Sequence, residues 1–220
     1  MTQHSRQTFL VSMGEWFFSR RSWTPIPLIL ILVFVGFRES KDSLTWLPGL
    51  GLLALGEALR LWGVAVIGKG SRTRGGGVGQ LATAGPYGYL RNPLYLGNFC
   101  LMMGAVFLSE LLWMTPVAFV VFIVQYVPIV RWEESVLSER LGADYAEYCR
   151  HVPRWFPRRR PWRASGAAQP YQWRAAFWSE RSTLGSIAFV LLVMLAKENL
   201  PHLRKHLAKH HVGLSAPPVR

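Results

Sequence analysis

The sequence predicts an all-α fold, a polytopic membrane bundle of four or five spans. Three observations carry that expectation. Four apolar runs fall within the first 130 of the 220 residues. Charged residues lie almost wholly between those runs, with the formal charge of +13 gathered on alternate connections. Half of the residues are hydrophobic and 17% are charged, which excludes a disordered chain. Two cysteines, Cys100 in an apolar run and Cys149 in a charged stretch, give no disulfide framework.

The first run, 26–37, is uncharged and extends back to Trp23. The second, 44–67, holds only Glu57 and Arg60 as charges; the third, 94–108, is apolar apart from Asn98. The fourth, 111–130, has Thr115 and Gln125 as its polar members. A helix needs about 20 apolar residues to cross a bilayer core, so the second and fourth suffice alone and the other two are short spans. A fifth apolar segment, 184–196, precedes Lys197, Arg204, Lys205 and Lys209. A span there would export those charges, so a short fifth span and an interfacial helix both stay open. The chain divides into a membrane core at 1–160, a basic linker at 161–183, and an apolar segment with a basic, His-containing tail at 184–220.

Orientation follows from Lys and Arg, because basic loops stay in the cytoplasm. Arg6, Arg20 and Arg21 precede the first run; Lys69, Arg72, Arg74 and Arg91 separate the second from the third; ten Arg lie in 131–183. The opposite connections hold Arg38 and Lys41 alone. Seventeen against two places the N-terminus, 68–93 and 131–183 in the cytoplasm, with arginines at anionic headgroups. The setting is then an integral membrane protein, read as one of a bacterial inner membrane. No basic-aromatic domain remains outside the membrane scaffold, which excludes nucleic acid as partner. The N-terminal apolar stretch is too short for a cleavable signal peptide, and Trp16, Phe17 and Phe18 beside Arg20 and Arg21 read as interfacial.

Two polar groupings fall on the cytoplasmic side. Five glycines lie within 75–85, followed by Pro86, Tyr87, Gly88, Tyr89, Leu90, Arg91, Asn92 and Pro93 at the mouth of the third run. Glycines let backbone N–H groups approach a ligand, and Pro93 suits the first turn of a helix, whose N-terminus can hold a carboxylate. The second grouping, Arg131-Trp132-Glu133-Glu134, follows the fourth run. Residues 131–150 read as an amphipathic helix with Glu133 on the face of Leu137, Leu141 and Tyr148. A carboxylate on an inward face calls for a cation, either a nearby arginine or a ligand ammonium. Glu134, about 100° round the helix, reads as solvated or supporting. Glu57 and Arg60, at i and i+3, read as a self-neutralising pair with Arg60 reaching for the membrane surface. His202, His206, His210 and His211 read as a solvated tail, and no metal site is expected.

Together the motifs resemble the isoprenylcysteine carboxyl methyltransferases and their bacterial relatives. The carriers are Gly-Pro-Tyr-Gly-Tyr-Leu-Arg-Asn-Pro-Leu-Tyr-Leu-Gly at 85–97, a helical hairpin, the Glu pair, Leu141-Gly142-Ala143-Asp144-Tyr145, and Val152-Pro153-Arg154. Phospholipid N-methyltransferases share the Glu pair and the architecture. The resemblance covers 68–157 and implies a cytoplasmic S-adenosylmethionine site. Gly79, Gln80, Leu81 and Ala82 would line the cofactor and Tyr87 would pack on it. Asn92, Pro93, Leu94 and Tyr95 would form the wall at the helix mouth. Glu133 would meet the methionyl ammonium with Glu134 beside it. Two departures are visible. Asn92 stands where many relatives carry His, and Ile129 stands where the eukaryotic enzymes place a substrate arginine, leaving Arg91 or Arg131 for that catalytic part. The expected activity is methyl transfer to a lipid or lipid-linked acceptor. A phospholipid N-methyltransferase, a membrane reductase of sterol-reductase-like type and a non-enzymatic membrane protein are the alternatives.

Overall fold

A computed structural model describes residues 3–21, 23–35, 43–68, 81–163 and 171–213, with side-chain surroundings for 9–21, 23–35, 44–68, 81–163 and 171–196. The regular structure of these residues is helical, without a strand among them: α1 Gln3–Arg20, α2 Ile26–Val35, α3 Ser43–Ile67, α4 Pro93–Leu108, α5 Thr115–His151 and α6 Trp173–Gly213. Three helical stretches are long and apolar enough to cross a membrane: Leu44–Ile67, Leu112–His151 and Trp173–Ala196. The first and third expected runs become shorter helices. At 1.5 Å per residue, the 10 residues of α2 reach about 15 Å and the 16 of α4 about 24 Å, against a core of about 30 Å. Of the two options for 184–196, the helix itself has the length of a span, because it starts at Trp173.

The sequence explains how α3 and α4 come together. Gly49, Gly56 and Gly63 recur every seven residues along α3 and face α4. A Cβ on Gly56 would stand 2.7 Å from the Gly97 carbonyl oxygen, and one on Gly104 would stand 2.9 Å from that of Gly49. Only hydrogen at these positions lets the two backbones touch, which is how helices associate where lipid supplies no hydrophobic drive.

The fourth run and the amphipathic stretch after it form one helix, α5, rather than two. It runs for 37 residues with Pro128 inside and breaks locally at Gly142, whose φ of 49° is left-handed. Glycine adopts that region without steric cost, and its Cβ position faces open space. The N-terminal aromatic cluster is only partly interfacial. Trp16 is exposed, but Phe18 is buried against Trp132 of α5, with ring centroids 4.7 Å apart. α1 therefore lies along α5, and Phe18 joins Tyr95, Phe122, Tyr126, Ile129 and Val130 in one buried cluster.

A second polar centre ties four helices together. Arg60 of α3 donates to Asn98 of α4, and its Nη2 meets Glu180 of α6 at 2.5 Å and Thr183 at 3.3 Å. Glu57 lies at 3.7 Å from Arg60 Nε. Asn98 Nδ2 in turn donates to Tyr126 Oη of α5 at 3.0 Å. The pair read as self-sufficient is thus the weaker half of a larger network. Arg60 does not reach for the surface, because closer acceptors surround it.

Candidate functional site

The site forms where α4 begins and the apolar part of α5, residues 115–130, has ended. Before α4 the chain makes a short 3-10 turn, Gly85–Gly88. Gly85 has φ of 57°, and a Cβ there would stand 2.9 Å from Trp62 Nε1, so both the dihedral and the space call for glycine. Pro86 and Tyr87 are buried in the turn. Tyr148 of α5 donates its hydroxyl to the Tyr87 carbonyl at 2.8 Å, which holds the turn against that helix.

The segment after α5 folds back over this turn. Arg91 N donates to the Pro153 carbonyl at 2.9 Å, Arg158 N to that of Tyr89 at 3.0 Å, and Trp162 N to that of Gly88 at 2.9 Å. Asn92 Nδ2 donates to the Arg154 carbonyl at 3.1 Å. Asn92 caps the start of α4 without a side-chain bond to the helix, and Pro93 occupies its first turn.

Inside this frame the two glutamates have different surroundings. Glu133 accepts a hydrogen bond from the Tyr95 hydroxyl and feels the charge of Arg21 from the end of α1. Among the described residues it forms no ion pair. Burial pushes its carboxyl up to about 7, against the pull of Tyr95 and Arg21, with Glu134 adding to the rise. Burial likewise raises the Tyr87 hydroxyl, with Tyr148 and Glu133 contributing. Arg21 stacks on Phe18, its guanidinium 3.9 Å from the ring centroid.

Glu134 is the centre of an arginine clamp. Arg154 Nε donates to both of its oxygens at 2.9 and 3.0 Å, and Arg154 Nη2 to Oε2 at 2.5 Å. Arg91 Nη1 donates to Oε1 at 3.1 Å and to Cys149 Sγ at 3.1 Å. The bonds to Glu134 raise the Arg154 guanidinium further.

The sequence family described as phospholipid methyltransferase matches residues 44–144. The matched segment is 101 of the 220 residues. It holds α3, α4, the turn between them and α5 as far as Asp144, so it contains both glutamates and Arg91 but neither Arg154 nor α6. The cobalt-zinc-cadmium resistance protein CzcN of Cupriavidus metallidurans is 31% identical over 140 residues, which cover 60% of this chain and 61% of the relative. The nickel-cobalt-cadmium resistance protein NccN of Alcaligenes xylosoxydans xylosoxydans is 28% identical over 139 residues, with the same two shares. The chain therefore spans 61% of the length of these curated relatives. No solved structure matches it.

Within the family segment the geometry gathers Tyr87, Asn92, Pro93, Tyr95, Glu133 and Glu134 at one end of the bundle. Leu94 packs instead towards Gly63 and the buried Val64 and Ala65 of α3. Leu81 packs on Tyr145, Tyr148 and Val152, a cluster that also takes in Leu137 and Leu141, and Ala82 is half-buried beside it in sequence. Gly79 and Gln80 lie outside the described residues, as do Gly75, Gly76 and Gly77. Arg131 is exposed, whereas Arg91 is drawn into the clamp. Glu134 is neither solvated nor a bystander: 12% of its side chain is exposed, and two guanidinium groups share it. The helical angle assigned to it was sound, but the folded-back 152–163 segment occupies the side that a lone helix would show to water. Arg154, part of a motif yet given no role, and Arg21, read only as an inside charge, are the site residues that sequence reasoning missed. The side chains of His202, His206, His210 and His211 fall outside the description. Among the described residues no three His, Cys, Asp or Glu side chains converge to hold a metal ion.

Opposite outcomes are expected for the two glutamates in the purified protein without ligand. Glu134→Gln leaves Arg91 and Arg154 without their shared carboxylate and should cost about 2–3 kcal/mol, since removing one member of a buried pair strands the other. Thermal unfolding in detergent checks this. A midpoint matching that of the unaltered protein would mean the clamp adds nothing.

Proposed function

We propose that this chain is an S-adenosylmethionine-dependent methyltransferase of the membrane, acting on a lipid or lipid-linked acceptor. The observation that carries the reading is Glu133, a half-buried carboxylate beside Tyr95 at the mouth of α4 and without an ion pair among the described residues. Such a group suits an ammonium ligand, because a cation restores the ionised form that burial opposes. The residues present fit the cofactor. Glu133 would take the methionyl ammonium, the start of α4 at Asn92 and Pro93 would take the carboxylate, and Tyr87 and Tyr95 would line the sulfonium side. Leu81 and Ala82, with Gly79 and Gln80 before them, would border the adenosine.

The bound cofactor supplies an electrophilic methyl group: the acceptor's lone pair forms the new bond while the carbon–sulfur bond breaks. The chain contributes positioning rather than proton transfer, as in-line displacement requires. Glu134, Arg91 and Arg154 fix the wall behind the site by joining α5 to the segments on either side. The match to the phospholipid methyltransferase family over 44–144 supports this chemistry. A phospholipid amine and an isoprenylcysteine-type carboxylate are the two acceptor classes the motifs suit, and Arg91, already held by Glu134, would have to leave its partner to bind a carboxylate. The proposed setting is a bacterial inner membrane with the site facing the cytoplasm, on the arginine asymmetry of the sequence.

Calorimetry on the detergent-purified protein is the test. S-adenosylmethionine and its demethylated product should bind, and NADPH should not. Heat from NADPH with none from S-adenosylmethionine would turn the assignment towards a reductase. Membranes containing the protein, incubated with methyl-labelled cofactor, should yield label in the lipid extract.

A further inference from the structure

The segment between Arg154 and Trp162 is pinned at both ends and projects in the middle. Arg154 is fixed to Glu134, Arg158 Nη1 donates to the His151 carbonyl at 2.7 Å, and Trp162 stacks on His151 with ring centroids 5.3 Å apart. Between these pins Trp155 turns inward, its ring centroid 6.2 Å from that of Phe122. Phe122 is buried and lies eight residues before the end of the apolar run 111–130, so the loop reaches back to the level of that run. Phe156 points the other way and is 83% exposed, the most open of the large hydrophobic side chains described. Arg159, Arg160 and Arg163 are exposed beside it, and residues 152–163 contain five arginines and no acidic residue.

An exposed aromatic ring on this loop, followed by exposed arginines, matches the two layers of a lipid surface. The ring suits the acyl boundary and the guanidinium groups suit phosphates just outside it. We propose that residues 155–160 form a docking loop for anionic phospholipid, with Phe156 seated among the chains and Arg159 and Arg160 on the headgroups. The occupant is lipid rather than an acidic protein because Trp155, packed on the buried Phe122, holds the loop at the level of the apolar run, and a bare aromatic ring beside arginines calls for an apolar layer next to phosphates. The same loop carries Arg154 and the carbonyls that receive Arg91 N and Asn92 Nδ2, so lipid held there would also steady the back of the site. That last link rests on the proposed function; the lipid contact does not.

The experiment uses the full chain reconstituted in phosphatidylcholine membranes with trace spin-labelled phosphatidylglycerol or spin-labelled phosphatidylcholine. Electron spin resonance reads the fraction of each label slowed by the protein. The unaltered protein should favour phosphatidylglycerol, and added salt should reduce the preference. Arg159→Gln with Arg160→Gln should lower it by about fivefold or more, the loss of at least one headgroup contact. Both side chains are exposed, so the fold should survive, and Arg159→Lys with Arg160→Lys should keep most of the preference. An unchanged preference in the glutamine variant, or no preference in the unaltered protein, overturns the proposal. The second result is the one expected of a loop reserved for an acidic protein or a nucleic acid. None of these readings requires cofactor binding or methyl transfer.

Discussion

Glu133→Gln should weaken S-adenosylmethionine binding by roughly thirty-fold or more. Taking away one member of a desolvated, charge-assisted pair costs about 2–5 kcal/mol, and about 1.4 kcal/mol is one decade of affinity. The pH dependence supplies a second readout. In the ligand-free protein the Glu133 carboxyl titrates at about 7, so below that pH it is neutral and offers the ammonium no counter-charge. Affinity should fall as pH drops from 8 to 6 in the unaltered protein and stay level in the glutamine variant. Stability moves the other way. Because the folded state holds this proton more tightly than the unfolded chain, whose carboxyl titrates near its ordinary 4.5, the group favours folding fully only below that ordinary value. The contribution is lost as pH rises through about 7, and above it the buried charge costs about 3 kcal/mol. The ligand-free variant should therefore melt higher than the unaltered protein at pH 8, with the gap narrowing towards pH 5. Unimpaired cofactor affinity in Glu133→Gln would show that the ammonium is held elsewhere.

Glu180→Ala should be the most damaging single change in the bundle. The Glu180 side chain is 1% exposed and meets Arg60 at 2.5 Å, within the apolar stretch 44–67. Without it Arg60 keeps only Glu57 as a nearby carboxylate, at 3.7 Å, and Asn98 as a neutral acceptor. Breaking a buried pair from one side costs about 3–5 kcal/mol. Replacing both members, Arg60→Leu with Glu180→Leu, should recover a large part of that, since the penalty is mostly the stranded charge. Thermal unfolding of Arg60→Leu, Glu180→Leu and the double variant gives the coupling directly. A single variant within about 0.5 kcal/mol of the unaltered protein would show that the network relaxes around the loss.

The parts legible in the sequence were those decided by near neighbours. Apolar runs marked the helices because a lipid-facing helix must be apolar along its length. Glu133 was read on an inward face set by residues one and two turns away, and it lies half-buried beside Tyr95. What escaped was decided by chain that returns from a distance. Glu134 seemed solvated because nothing local covers it; Arg154, twenty residues on, does. Arg60 seemed satisfied by Glu57, while its closer carboxylate lies 120 residues away. The runs at 26–37 and 94–108 were read as short spans, and α2 and α4 are short helices. Both are shorter than a bilayer core, and each lies against longer partners that hold it in place.

The Arg60 network also separates two kinds of boundary. The family segment stops at residue 144, yet the arginine at its centre is balanced from α6. A recognisable sequence family is then narrower than the unit that can fold. During synthesis α3 and α4 would leave the ribosome long before Glu180 exists, with Arg60 held provisionally by Glu57 and Asn98. Assembly of this bundle thus finishes only when its last helix arrives, and a chain cut after the clamp would carry an intact site on an unfinished scaffold.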